Sequence, residues 1–123
     1  MLCISVREPW ATAIFKLGKD VENRTWRTHY RGRLGIHVCA IAPRLEDLDF
    51  LRLRVRDLTL PRGCIVGYVD LRGITRASRS RWAQEDAWHW LIRNPVRIEP
   101  VRWRGLPGLF RADLTIRVPA AGH

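Results

Sequence analysis

The run Cys64-Ile65-Val66-Gly67-Tyr68-Val69-Asp70-Leu71 is a nearly continuous apolar segment with a glycine-containing turn on each side. Apolar runs of this length between turns are typical of buried strands. We therefore predict a central strand in which Ile65 or Val66, together with Val69, is deeply buried. Gly67 has no side chain to pack, so it indicates a bulge or a close approach of another backbone.

The residues that precede this run predict further strands and two helices. Alternating side chains over residues 2–6 indicate a half-buried strand. Apolar side chains then recur at helical spacing between Pro9, which is tolerated where a helix begins, and Gly18, which ends one. A strand from Arg33 to Ala40 follows, and Pro43 begins a second helix. The apolar face of that helix comprises Leu45, Leu48, Leu51 and Val55.

The residues after the central strand predict the rest of the sheet. Residues 76–86 form a polar connection, residues 87–92 a tryptophan-rich strand, and residues 96–103 and 109–118 the last strands. About six strands with two helices predict an α+β fold, built as a small mixed β-barrel with two capping α-helices. The pattern of strands and helices alone leaves an open α+β sheet as the alternative.

Length and composition indicate one domain in a reducing compartment. A chain of 123 residues suffices for one hydrophobic core, so residues 1–123 are interpreted as a single domain. No apolar run approaches the roughly 20 residues of a membrane-spanning helix, and the N-terminus does not resemble a signal peptide. The three cysteines lie far apart, which favours buried thiols over disulfides. These features predict a cytoplasmic protein without a membrane partner.

The formal charge of +10 is carried almost entirely by arginine. A field of this sign attracts polyanions and accelerates their association. RNA is the first expectation for a partner and DNA the second, while an arginine-rich composition without functional meaning is the competing interpretation. The arginines that we predict to contact nucleic-acid phosphates are Arg27, Arg31, Arg33, Arg79 and Arg81.

The segment Gly18-Lys19-Asp20-Val21-Glu22-Asn23-Arg24-Thr25-Trp26 concentrates the candidate chemistry. Its valine, threonine and tryptophan favour a strand. Alternation along a strand places Glu22 and Arg24 on one face, with Trp26 beyond them and Lys19 at the edge. An acid beside a cation can be a structural ion pair. The alternative is a polar site on which a planar ligand stacks and is hydrogen-bonded.

The same segment carries a resemblance to a known family. Lys19-x-x-Glu22-x-Arg24 resembles the signature of the ASCH domain family, a branch of the PUA-like superfamily. Further segments resemble that family in the expected order: 5–11, 31–37, 63–71, 90–95 and 108–110. The resemblance covers roughly residues 2–117. It departs locally because Gly18 and Lys19 are adjacent, whereas the family usually has a residue between them. It implies the small pseudo-barrel of PUA-like domains.

The resemblance also implies two kinds of enzymatic activity. Some ASCH proteins remove the acetyl group from 4-acetylcytidine with a lysine and a threonine of this motif and a distant glutamate, and others are reported to cut RNA. Lys19 matches that lysine, but Glu22 stands where the threonine would be, so the hydroxyl is missing. Glu85 or Asp86 is the candidate for the distant acid. Lys19 and Glu22 could still exchange protons with a substrate if burial moved their pKa values toward neutrality.

We therefore predict a basic cleft that binds RNA or a nucleoside-like small ligand. Its ligand-binding residues are Ser5, Arg7, Trp10, Arg24 and Trp26. Free N–H groups at the start of the first helix would favour an anion in the same cleft. If the alternative is correct and the cleft is that of a nucleoside amidohydrolase or a weak ribonuclease, Lys19 and Glu22 are the catalytic pair.

Other interpretations receive less support from the sequence. A protein-interaction module with an incidental charge is a third class of function. No cofactor is predicted. No metal is predicted either, because His37 and Cys39 supply only two ligands on one strand face, whereas a zinc site needs three or four.

Overall fold

The computed structural model describes residues 1–114. Its strands are β1 (Leu2–Val6), β2 (Val21–Arg24), β3 (Gly32–Val38), β4 (Cys64–Thr75), β5 (Trp88–Arg102) and β6 (Phe110–Arg111). Its helices are α1 (Trp10–Lys16), between β1 and β2, and α2 (Leu45–Leu51), between β3 and β4. A 3-10 turn at Val55–Asp57 follows α2.

One six-stranded sheet contains all the strands of residues 1–114, in the order β2-β5-β4-β3-β1-β6. β1 and β3 pair in parallel, and the other neighbours pair antiparallel. The predicted central strand is confirmed, because β4 lies inside the sheet and Ile65, Val66 and Val69 are fully buried. Alternate residues of β1 and β3, such as Ile4 and Leu34, join Val66 and Val69 in the main hydrophobic core.

Gly67 lies where another part of the backbone approaches β4 closely. A Cβ atom at this position would stand 2.3 Å from the carbonyl oxygen of Val96 and 2.7 Å from the Phe15 ring. The register of β4 against β5 also shifts between Ile65 and Gly67. The prediction of a bulge or a close approach is therefore confirmed, and both features occur.

A single long strand, β5, replaces the two strands predicted over 87–92 and 96–103. Asn94 has a positive φ of 54°, and the pairing with β4 is irregular next to the Asn94-Pro95 pair. Proline lacks the N–H group that a sheet ladder needs, but a bulge leaves a residue unpaired and so accommodates it. The Asn94-Pro95 pair therefore interrupts the pairing without ending the strand.

The strand pairing does not close the sheet into a barrel among residues 1–114. β2 and β6 form the two edges, and no ladder of hydrogen bonds joins them in this part of the chain. The α+β class is confirmed, whereas the predicted barrel closure is not, and the pairing is that of the open sheet. Of the last predicted strand, 109–118, Phe110–Arg111 forms a ladder with β1, and residues 115–118 lie outside the described residues.

The helices are short, and the second differs from its prediction. α1 packs Ile14 into the main core as expected. Of the predicted apolar face of the second helix, Leu48 is buried and Leu51 half-buried, but Leu45 and Val55 are 75% and 65% exposed. The helix ends before the last of these residues, so its apolar side chains do not share one buried face. Within residues 1–114, no helix has the length and apolar character needed to cross a membrane.

Candidate functional site

The polar segment predicted on the second strand is a buried ion-pair cluster. The antiparallel pairing of β2 with β5 sets Glu22 opposite Trp90 and Arg24 opposite Trp88. Glu22 Oε1 accepts from Lys19 Nζ at 2.7 Å, and Oε2 accepts from Arg24 Nη2 at 2.8 Å and from Arg24 Nε at 3.1 Å. Lys19 and Glu22 are only 5% and 9% exposed. A carboxylate is thus clamped between two cations.

These contacts determine the charge of Glu22. Burial by itself would raise the pKa of this carboxyl group, but the charges and hydrogen bonds of Lys19 and Arg24 outweigh burial and hold the pKa below its ordinary value. Glu22 is therefore ionised at neutral pH. Acid–base chemistry at neutral pH would need a pKa shifted toward neutrality, and the pKa of this carboxylate shifts the other way.

The carboxylate faces a cleft of about 450 Å³. All the residues predicted to bind the ligand line this cleft together with Glu22: Ser5, Arg7, Trp10, Arg24 and Trp26. The Arg24 side chain connects β2 to β1, because its Nη2 also donates to the backbone carbonyl of Ser5 at 2.9 Å. The Arg7 guanidinium is held by the carbonyl of Ala42 at 2.9 and 2.7 Å. The fold therefore gathers residues that are scattered over 22 positions of the sequence into one concave surface.

A second cleft, of about 320 Å³, shares Trp10, Glu22 and Asn23 with the first. Lys19 lines this second cleft and not the first, because its Nζ turns to Glu22 and to the carbonyl of Val21. The remaining walls are Phe50, Arg81, Trp82, Ala83 and Gln84. We call the two connected hollows together the Glu22 cleft. The predicted cleft is thus divided into two by the ion-pair cluster.

Two tryptophan rings form part of the wall of the Glu22 cleft. Trp10 and Trp26 are half-buried and line it. Trp26 meets Trp90 edge to face with ring centroids 4.8 Å apart, and Trp10 lies 6.2 Å from Phe50. Packing against other rings restricts both side chains, so the parts that face the cleft are fixed surfaces.

The connection between β4 and β5 is fastened to the cleft by side chains. Asn23 donates to the carbonyl of Trp82 at 2.9 Å and accepts from the N–H of Gln84 at 2.9 Å. His89 accepts from the N–H of Ser78 at 3.1 Å, and its Nε2 lies 2.6 Å from the carbonyl of Gln84. Since a carbonyl only accepts, Nε2 carries the proton. Asn23 and His89 therefore fix the wall that Trp82 and Gln84 contribute.

The start of α1 does not offer the free N–H groups expected to bind an anion. The N–H of Thr12 donates to Glu8 Oε1 at 2.7 Å, and the Thr12 hydroxyl donates to Oε2 at 2.6 Å. Glu8 is almost fully buried. A carboxylate of the chain itself therefore occupies this end of the helix, and the expected anion site is not available.

Ser5 and His37 form a hydrogen-bonded pair between β1 and β3. Ser5 Oγ lies 2.9 Å from His37 Nδ1, and His37 Nε2 lies 2.7 Å from the carbonyl of Trp103. In the neutral ring the carbonyl fixes the proton on Nε2, so the serine hydroxyl donates to Nδ1. Both ring nitrogens are engaged. Residues 1–114 contain no group of three or more side chains that could hold a metal ion.

One of the five arginines predicted to contact phosphates lines the Glu22 cleft. Arg81 lines the Glu22 cleft and lies over the Trp82 ring, 4.8 Å from its centroid. The others are exposed and do not line the cleft: Arg27, Arg31, Arg33 and Arg79. Arg31 donates to carbonyls of its own loop at 2.8 Å.

Sequence reasoning missed several residues of the cleft wall. Asn23, Phe50, Trp82 and Gln84 line it, and the last three come from segments far from Glu22 in the sequence. A tryptophan in a polar connection is the one signal that could have pointed to Trp82, since such a ring needs a packing partner. Glu85 and Asp86, the candidates for a distant catalytic acid, are exposed and do not line the cleft.

Comparison with known proteins places this geometry in a family. Residues 4–102 of the 123 match the family model of the ASCH domain. Over 78 residues the chain is 38% identical to Activating signal cointegrator 1 of Homo sapiens and 36% identical to the protein of that name in Mus musculus. Each match covers 56% of this chain but only 13% of the relative, so the chain corresponds to a small part of those proteins. Since the family model spans β1 to β5 and includes the ion-pair cluster, the chain belongs to the ASCH domain family.

Proposed function

We propose that this domain binds RNA or a nucleoside-like ligand, with one base seated in the Glu22 cleft. The observation that carries the proposal is a buried and ionised carboxylate beside fixed aromatic surface. Glu22 supplies the charge, and Trp10 and Trp26 supply the rings. A planar ligand with hydrogen-bond donors on its edge complements both features.

Glu22 keeps acceptor capacity after its contacts within the protein. A carboxylate offers about four lone-pair sites, two on each oxygen. Oε2 receives two bonds from Arg24, but Oε1 receives one bond from Lys19. One site on Oε1 is therefore open to a donor. The exocyclic amine of cytosine and the ring N–H and amine of guanine are donors of this kind.

The tryptophans add affinity that does not depend on the identity of the base. Every base has a π-face, and stacking on an aromatic side chain contributes about 1–3 kcal/mol per base. Trp10 lines both hollows of the cleft, whereas Trp26 lines the larger one. Selectivity would then come from Glu22, and general affinity from the rings and from the net charge of +10.

Binding without hydrolysis is the form of this function that the site supports. The lowered pKa makes Glu22 a weak base at neutral pH. Lys19 Nζ already contacts Glu22 and the carbonyl of Val21. Neither Glu85 nor Asp86 lines the cleft. We expect 4-acetylcytidine to bind without being deacetylated.

The test compares ligands that differ in one donor group, the exocyclic amine. Cytidine and N4,N4-dimethylcytidine are titrated into the protein and followed by tryptophan fluorescence, with a short single-stranded RNA as a further ligand. A hydrogen bond to a charged acceptor contributes about 1.5–3 kcal/mol, so cytidine should bind at least about tenfold more tightly than its dimethyl analogue. The variant Glu22→Gln should reduce this ratio. Glu46→Gln, an exposed carboxylate on α2, is the control.

Three results would overturn the proposal. The first is equal affinity for cytidine and its dimethyl analogue. The second is an unchanged ratio in a Glu22→Gln variant that is folded by circular dichroism. The third is release of acetate from 4-acetylcytidine by the wild-type protein and not by Lys19→Ala, which would establish the hydrolase instead. Products are followed by mass spectrometry.

A further inference from the structure

Three neighbouring strand ends bring two arginines onto one tryptophan outside the Glu22 cleft. β5 lies between β2 and β4 in the sheet, and Trp88 is its first residue. Arg27 follows the end of β2, and Arg76 follows the end of β4. The guanidinium carbons of Arg27 and Arg76 lie 4.8 and 5.0 Å from the centroid of the Trp88 ring.

Both guanidinium groups lack an anionic partner in the described part of the chain. Arg27 and Arg76 are exposed, and no ion pair within residues 1–114 involves either of them. Because both lie over one ring, their charges stand within about 10 Å of each other, roughly a Debye length at 0.1 M salt, and repel. A cation–π contact at the protein surface offsets this by only about 0.5–1 kcal/mol for each cation. An anionic group such as a phosphate, bound beside each guanidinium, would remove the repulsion.

The chemistry of stacked arginine favours phosphate as that anion. A guanidinium that stacks flat on an aromatic ring keeps the N–H groups at its edge free to donate. These parallel donors match two oxygens of a phosphate group. Trp88 packs against the hydrophobic core, so it holds both cations at one place.

We propose that Arg27, Trp88 and Arg76 form a phosphate clamp for the backbone of a single-stranded nucleic acid. The inference rests on the proposed function, since the same strand would place a base in the Glu22 cleft. Arg24 lines that cleft and stands three residues before Arg27, a separation of at most about 11 Å along an extended chain. The clamp and the cleft can therefore contact neighbouring nucleotides.

The test removes the two charges of the clamp and compares the loss with an equal change elsewhere. The clamp variant is Arg27→Ala with Arg76→Ala, which leaves Trp88 in place. The control is Arg62→Ala with Arg104→Ala. These exposed residues flank the start of β4 and the end of β5, at the opposite end of the strand pair. Labelled single-stranded RNA and DNA of one sequence are titrated by fluorescence anisotropy over a salt series.

The clamp variant should bind at least about tenfold more weakly than the control at 0.1 M salt, for RNA and DNA alike. Each lost phosphate contact lowers the log–log salt slope by about 0.7, so the slope should fall by about 1.4 in the clamp variant and stay unchanged in the control. Arg27→Lys with Arg76→Lys keeps the charges but loses the planar donor edge, and it should lie between the two.

Each contrary result points to a different failure. Equal losses in the two double variants would show that only net charge acts, which refutes the clamp and leaves nucleic-acid binding standing. A loss confined to RNA would refute phosphate as the contact. Competition by a polyglutamate peptide as effective as that by RNA would assign the site to an acidic protein instead. A wild-type protein that binds neither nucleic acid would refute the clamp and the RNA form of the proposed function, and the cytidine titration would then decide whether the nucleoside-like ligand stands.

Discussion

Glu22 keeps its charge in a buried position only because two cations share it. A carboxylate taken from water loses several kcal/mol of solvation, and such a group remains ionised where charged hydrogen bonds replace the water. Lys19 and Arg24 supply these bonds. Arg24 also donates to the carbonyl of Ser5, so its side chain links β2 to β1. The cluster therefore holds the edge strand β2 against the rest of the cleft while it presents a charge to a ligand.

Glu22→Gln should lower stability at neutral pH and flatten its dependence on acid. The lowered pKa means that the unfolded chain binds more protons than the folded one in acid. The stability from Glu22 is thus complete above about pH 4.3, the ordinary pKa of glutamate, and is lost as pH falls through the folded-state pKa. At pH 7, breaking a buried pair costs about 3–5 kcal/mol. In urea unfolding, the difference in free energy of unfolding between the wild type and Glu22→Gln should be smaller at pH 3 than at pH 7. An equal difference at the two pH values would contradict the role of Glu22.

Gly105 is required by the Ser5–His37 pair. A Cβ atom on Gly105 would lie 2.6 Å from His37 Cε1 and 3.2 Å from Ser5 Oγ, and His37 is held at both ring nitrogens. Gly105→Ala should therefore reduce the free energy of unfolding by about 1–3 kcal/mol. Gly73→Ala is the matched control, because the nearest atom to its Cβ would be Leu91 Cδ1 at 3.7 Å. Equal effects of the two changes in chemical denaturation would show that the contact with His37 is unimportant.

At the scale of the elements, side chains of β2 and β5 help to hold the β4–β5 connection, together with the hydrogen bond from Ser80 to Asp20. Asn23→Ala removes the acceptor of the Gln84 N–H and the donor to the Trp82 carbonyl. The Gln84 amide should then exchange with deuterium about five- to thirteenfold faster, since a lost hydrogen bond of about 1–1.5 kcal/mol changes the local opening equilibrium by that factor. The amides of β3 serve as the internal control. Unchanged exchange at Gln84 would mean that the contacts of His89 and Ser80 suffice to hold the connection.

The sequence predicts well those elements that have a clear local pattern, namely several strands and the first helix. The apolar run of β4 and the alternation of β1 depend on neighbours along the chain, and the ion pair of Glu22 with Arg24 follows from their i, i+2 spacing. The continuity of β5 was not predicted, because Asn94 and Pro95 have the propensities of turn residues. Their irregular pairing with β4 accommodates them as a bulge within the strand.

The parts of the site that sequence does not predict come from tertiary contacts. Phe50 and Trp82 reach the Glu22 cleft from a helix and a loop whose positions no local pattern sets. The exposure of Leu45 has the same cause, since helical periodicity identifies an apolar face but not whether another element covers it. Arg76 and Trp88 meet because β4 and β5 are neighbours in the sheet, although twelve positions separate them in the sequence.

At the scale of the whole molecule, the three cysteine thiols differ in how deeply they are buried. Cys3 and Cys64 are buried, and burial raises the pKa of the Cys3 thiol to about 11, whereas Cys39 is half-buried and lines the Glu22 cleft. Since alkylation requires an accessible thiolate, Cys39 should react first with iodoacetamide, and Cys3 only after global opening. Peptide mass spectrometry reads the order. A nucleoside that occupies the cleft should slow the reaction at Cys39, and earlier reaction at Cys3 would contradict the assignment of the core.

The strand order also determines when the chain can fold during synthesis. Among residues 1–114, β2 pairs with β5 alone, and β4 covers one side of β3, so β2 and one edge of β3 depend on residues 64–102 for their partners. A ribosome adds about 5–20 residues each second, which leaves the unpaired edges of these strands exposed for seconds on the nascent chain. Such edges are templates for pairing with other chains. Newly made copies should therefore depend on protection at the ribosome exit until the β4–β5 hairpin emerges.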